Sequence, residues 1–283
     1  MSNRTEKKQT TKISPDLLPV TLSGKTAGTI GYFNVWIGIG IIIATFAVGG
    51  EAAYYCNLKQ IAFAAIFGTF VLGCFFCISS DIGTEHGLSF PVYVTAILGK
   101  RGTMLPNALR TIMPYWMGVC ICGLIGAVIQ PWVLVDHIGI FLTITGSLWS
   151  TMYGMTIVDF FIIRKRKINV PDLYKDDGGQ YAYAKGFNPA GFISFLIGLG
   201  ACMLMSSIAF IAGSVVSGVS YYILMKCWIL KKYPQKELGA DKEKYTGISH
   251  GREWVYNEDT NSVDSSTVAG SALQMNPIPF REF

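Results

Sequence analysis

The chain has 283 residues, of which 51% are hydrophobic and only 14% charged, with a formal net charge of +5. Soluble domains carry about a quarter charged residues, so a water-soluble globule, and with it most soluble-enzyme classes, is excluded. Polar residues gather in 1–28 and 231–283, and nearly everything apolar lies between them. That is the layout of an all-α, polytopic membrane protein with two wet tails.

The first 15 residues, MSNRTEKKQTTKISP, are basic and hold no apolar run, so no cleaved signal peptide is expected. About 20 apolar residues are needed to span a bilayer. Six segments qualify: about 29–50, 61–83, 105–134, 138–163, 187–205 and 207–229. The first contains VWIGIGIIIATFAVGG, with Gly38 and Gly40 near its middle. A mid-helix glycine costs about 1 kcal/mol against alanine, and two readings are open. The glycines permit close helix packing, or they mark an interruption whose unwound carbonyls hold a cation. Glu51 ends this span at its outer interface. The second span ends at Asp81 and carries Cys74 and Cys77, expected to be buried small apolar residues because no polar ligands or βαβ context surround them.

Residues 84–104 are too short to span and read as an interfacial or amphipathic piece. Asp159, near the inner end of span four, precedes the block Arg164-Lys165-Arg166-Lys167 by five residues and is expected to face it. The loop 168–186 is punctuated by Pro171, Gly178 and Gly179 and reads as a turn-rich connector. Spans five and six, separated by Met205-Ser206-Ser207, form a tight hairpin or one bent element. From Pro234 onward the composition predicts disorder.

Lys and Arg fix the orientation. With both termini inside, every basic residue lies inside or at an inner span end, except Lys59. Next to a span end the basic block is a topological signal, so no nucleic-acid partner is expected. His86, His137 and His250 have no partnered Cys or Asp at catalytic spacing, and no phosphate-binding glycine motif is present. The chain is therefore not expected to be an enzyme, nor to carry a cofactor or metal.

Several stretches, in order, carry a resemblance. They are NVWIGIGIIIATFAVGG, GTEHGLSFPVYVTAILGKRGTMLPNALR, GLIGAVIQPW, YGMTIVDFFIIRKRKINVPDLY and GGQYAYAKGFNPAGF, together most of 15–235. The chain resembles the nucleobase:cation symporters, permeases for cytosine, uracil, allantoin, hydantoins and related vitamins. The resemblance implies about twelve spans, the first ten or so forming two inverted repeats of about five helices around a midplane site. The chain is similar to spans one, two and the start of three over 29–110, and to spans nine to twelve over 111–230. The implied join falls at Thr111–Gly118, with roughly six spans absent. The fold expected is thus a partial 5+5 inverted repeat of about six helices, flanked by a cytoplasmic tail at 1–28 and another at 231–283.

The same resemblance implies the site. Gly38 and Ile41 supply candidate cation-binding carbonyls, for Na⁺ or H⁺ coupling. Ile42 takes a substrate-facing position that is polar in some relatives, and Trp116, beside the join, is the candidate stacking aromatic. Partners from spans six and eight have no counterpart. Two functions follow: cation-coupled uptake of a nucleobase-like heterocycle at the plasma membrane, or a truncated, non-transporting paralogue serving as a membrane interaction subunit. Substrate, coupling ion, host and oligomeric state stay open.

Overall fold

The computed structural model describes residues 17–25, 28–40, 43–104, 138–175, 179–205, 208–257, 260 and 262–268. Helices dominate. In chain order they are α1 (Thr29–Gly40), α2 (Ile43–Ala52), α3 (Leu58–His86), α4 (Phe90–Leu98), α5 (Ile138–Ile157), α6 (Val170–Tyr174), α7 (Pro189–Leu204) and α8 (Ala209–Leu224). Among the described residues, α3 and the helix running from Ala209 to Lys232 are long and apolar enough to cross a membrane. The 16-residue α7 is apolar but shorter.

α3 begins at Asn57, whose backbone N–H donates to Gln60 Oε1 (3.0 Å), reciprocal to the Asn57 side chain on the N3 amide. It ends at Gly87, where φ is +67°. A side chain there would be strained, and its Cβ would lie 2.9 Å from the Val20 nitrogen. The close approach lets the Val20 N–H donate to the Gly87 carbonyl (3.0 Å), which ties the N-terminal segment to the end of α3. Along α3, Phe63, Ile66, Phe67 and Phe70 are all more than half exposed. Their i, i+3, i+4, i+7 spacing makes one outward apolar stripe.

α5, α7 and α8 pack as a trio, and α2 and α3 lean on α5. Small residues set the trio's spacing. A Cβ on Gly198 would sit 2.6 Å from Thr151 Cγ2 and 2.7 Å from Ser217 Cβ. Gly154 lies directly against the Ser214 carbonyl, and Gly213 against Cys202 Sγ. α7 and α8 are neighbours in the hairpin expected from their short link. Asn188 caps α7 by accepting from the Ala190 N–H (3.1 Å), while its amide donates to the Ile97 carbonyl (2.7 Å).

Both α5 and α8 end in a widened π-helical turn, Val158–Ile163 and Met225–Ile229. The Arg164 N–H donates to the Asp159 carbonyl five residues back (2.9 Å).

Within the 84–104 segment, α4 buries Tyr93, Val94, Ala96 and Ile97 completely, against α5, α6 and α7, while Arg101 and Met104 are exposed. Two expectations need correcting. The C-terminal segment is folded as far as Val268 rather than disordered, and its last residues, 269–283, lie outside the described residues. Short 3₁₀ turns lead into an antiparallel hairpin, β1 (Arg252–Asn257) with β2 (Ser262–Thr267), that pairs Trp254 with Ser265 and Tyr256 with Val263. Alternation places Trp254 and Val263 in the main core, which offsets the polarity of the rest. Cys74 and Cys77 are exposed on α3, not buried; Cys202 is buried.

Candidate functional site

The residues proposed from the sequence divide sharply. Gly38 lies within α1, two residues before its described end at Gly40. Ile41 and Ile42 fall between α1 and α2, and Trp116 falls in 105–137; all three lie outside the described residues, as does the expected join.

What the fold does assemble is a buried polar cluster where the basic block meets the helix ends. The π turn after α5 presents Asp159 and then Arg164, both fully buried. Arg164 Nε donates to Asp159 Oδ2 (2.6 Å), as the sequence led us to expect. Tyr93 from α4 donates to the same Oδ2 (2.8 Å), and Tyr221 from α8 donates to Oδ1 (2.9 Å). On its other side, Arg164 Nη1 donates to Gln235 Oε1 (2.8 Å) and to Glu237 Oε1. Glu237 also accepts from Tyr181 (2.8 Å) and from the Gln180 amide. Gln235 Nε2 donates to Tyr183 Oη, which donates on to the Ala96 carbonyl (2.8 and 2.7 Å).

One guanidinium thus faces two carboxyls, 0% of each side chain exposed. Such a pairing orients its partners more than it stabilises them. Burial first, and then the neighbouring Glu237, push the Tyr181 hydroxyl well above its usual pKa. Burial does the same to Tyr183, opposed by Arg164, so both hydroxyls stay neutral donors.

A second polar knot fastens the hairpin. His86 Nδ1 accepts from Trp254 Nε1 (3.2 Å), which leaves its Nε2 to donate to the Arg166 carbonyl (2.9 Å). That arrangement specifies a neutral ring with the proton on Nε2. Arg166 pairs with Asp81 (2.8 Å), and Glu85 accepts from the Ser249 hydroxyl and N–H. Glu253 accepts from the Leu22 N–H (3.0 Å), so N-terminal and C-terminal segments meet on the end of α3.

Sequence reasoning missed Gln235, Glu237, Trp254 and the tyrosines of 181–183. The one available signal was the alternation in REWVYN and SVDSST. Among the described residues no group of His, Cys, Asp and Glu could hold a metal ion. Among the described residues of this cluster no nucleophile–base pair is aimed into a cleft; the cluster is a fastening, and its chemistry is orientation.

The chain matches the family model of the permease for cytosine/purines, uracil, thiamine and allantoin in two stretches, residues 19–118 and 107–230. It is 25% identical over 244 residues to the allantoin permease of Bacillus subtilis, covering 71% of this chain and 49% of that protein. It is 25% identical over 130 residues to the hydantoin permease of Microbacterium maritypicum, covering 46% of this chain and 26% of that protein. The chain spans about half, or less, of the length of these curated relatives. No solved structure gives a significant match. With most of its length matched by the family model, the chain belongs to the cytosine/purine, uracil, thiamine and allantoin permease family, whose members are membrane transporters and not enzymes.

Proposed function

We propose that the chain is a multi-pass plasma-membrane permease that takes up a nucleobase or related heterocycle with Na⁺ or H⁺ as the coupling ion. In this reading six spans form a partial 5+5 inverted repeat with both termini inside. Gly38 and Ile41 offer carbonyls to the cation; Ile42 and Trp116 face the base. The family match over 19–118 and 107–230 carries this reading, and relatives named as allantoin and hydantoin permeases support the substrate class.

A second reading draws on a separate observation. The two matched stretches overlap at 107–118, where the join is expected, and the relatives are about twice as long or more. An inverted-repeat site draws on both repeats, so a chain lacking the middle is a truncated paralogue that inserts without transporting. Uptake of labelled cytosine, uracil, allantoin and hydantoin by cells expressing the chain, against empty vector, separates the two. Saturable uptake that depends on Na⁺ or H⁺ establishes transport. Vector-level uptake by a chain shown to be in the membrane leaves the truncated paralogue.

A further inference from the structure

Outside the fastening, a cavity of about 450 Å³ opens between the turn after α4 and the 179–186 segment. Its lining includes Lys100, Arg101, Lys175 and Lys185, against one carboxylate among the described residues, Asp172. Asp172 is already engaged by Lys175 (2.6 Å), with Lys236 at 3.8 Å. Arg101 and Lys185 are exposed and offer positive charge to the cavity, with no ion pair among the described residues.

Lys185 has φ +54°, a left-handed conformation in which glycine costs less. Its neighbour Gly186, at φ +91°, is glycine. A lysine kept in such a backbone points to a use for its side chain.

What stands beside the cavity narrows the ligand. α7 begins three residues after Gly186 and turns Ile193, Leu196 and Ile197 outward, 39%, 65% and 44% exposed. Phe187 and Phe192, edge to face at 5.6 Å, lie along the chain between Gly186 and that stripe. A soluble anion would use the charge and ignore the stripe. A zwitterionic lipid would use the stripe without needing surplus charge. We propose that this cavity binds the phosphate of an anionic phospholipid headgroup, with the acyl chains lying along α7. Basic pockets at span ends take such headgroups. The proposal rests on the family's place in the membrane and is independent of whether the chain transports.

The test uses the full chain in detergent, titrated with dioctanoyl phosphatidylglycerol, dioctanoyl phosphatidylcholine or inorganic phosphate, with bound lipid read by native mass spectrometry and melting temperature read in parallel. Phosphatidylglycerol should bind at least about tenfold more tightly than phosphatidylcholine, and R101A/K185A should erase that preference. K242A/K244A, the same charge change on the C-terminal segment, should leave it intact. Lys185→Gly relieves the backbone, so it should weaken lipid binding while keeping or raising the lipid-free melting temperature. Equal binding of the two lipids, or an unchanged R101A/K185A, overturns the proposal. So does phosphate binding as tight as the lipid's, which would assign the cavity to a free anion. A lipid-free R101A/K185A melting temperature that falls sharply would assign the cations to a structural role within the fold, and overturns it too.

Discussion

Arg164 is the largest fully buried side chain in the described structure, and its charge is answered from both directions along the chain. Asp159 lies five residues before it and Glu237 seventy-three after. Removing the guanidinium strands two carboxyls in a site without water access. Breaking a buried pair from one side costs about 3–5 kcal/mol. Arg164→Met should therefore lower the melting temperature of the detergent-solubilised chain sharply. Tyr93→Phe removes one donor from Asp159 and should cost about 1–2 kcal/mol. A Tyr93→Phe loss as large as that of Arg164→Met would mean the tyrosine, not the ion pair, organises the cluster. Asp172 offers a second check at this scale. Burial raises its carboxyl, but Lys175 and the Gln180 amide more than reverse this and hold it below the usual range. A depressed carboxylate stabilises the fold above its unfolded pKa of about 4, and that contribution is lost as pH falls through the lower folded value. An acid titration of thermal stability should show a step below about pH 4 that Asp172→Asn abolishes.

At the scale of elements, the α5–α7–α8 trio and α3 make opposite demands on glycine. Gly154, Gly198 and Gly213 sit where neighbouring helices touch, whereas a Cβ on Gly73 in α3 would meet nothing within 4 Å. Gly198→Ala should destabilise by about 1–3 kcal/mol through overpacking. Gly73→Ala should be neutral or gain about 1 kcal/mol of helix propensity. Equal melting temperatures for the two variants would show that small residues do not set the spacing of the trio. As helices these elements were largely legible beforehand from their apolar runs, although among the described residues only α3 and the Ala209–Lys232 helix are long and apolar enough to cross a membrane. The partner of Asp159 was legible too, though for an incomplete reason. Residues five apart on an α-helix point about 140° away from each other. They meet here because the backbone widens into a π turn after Ile157, which no apolar period reveals.

For the whole molecule, the C-terminal segment is the large misreading. Its composition is that of a solvated tail, and composition weighs only what a segment could bury alone. Trp254 is buried with its Nε1 donating to His86, and Glu85 holds Ser249 just before the hairpin. Contacts across 164 and 168 residues leave no mark on local periodicity. The first span, by contrast, was read from its apolar run and its site roles from resemblance; Gly38 lies within α1, and Ile41 and Ile42 lie outside the described residues. Truncation after Tyr233 should expose Arg164, the end of α3 and the α4 face together. Limited proteolysis should then cut the truncated chain within 164–186 at least about tenfold faster than the full one, since backbone opening governs cleavage. Equal cutting would mean the segment merely rests on the surface.

The widened turn after α5 carries one more implication, in the arithmetic of chain length. A π turn is an α-helical turn carrying one surplus residue. Excising Ile162, which is 54% exposed, would let the ordinary ladder close through this stretch. Asp159 and the arginine would then stand four residues apart, about 40° around an ordinary helix, which is close enough for an ion pair without any widening. The widened turn thus takes up the surplus residue, and its loss from the outer face leaves their pairing in place.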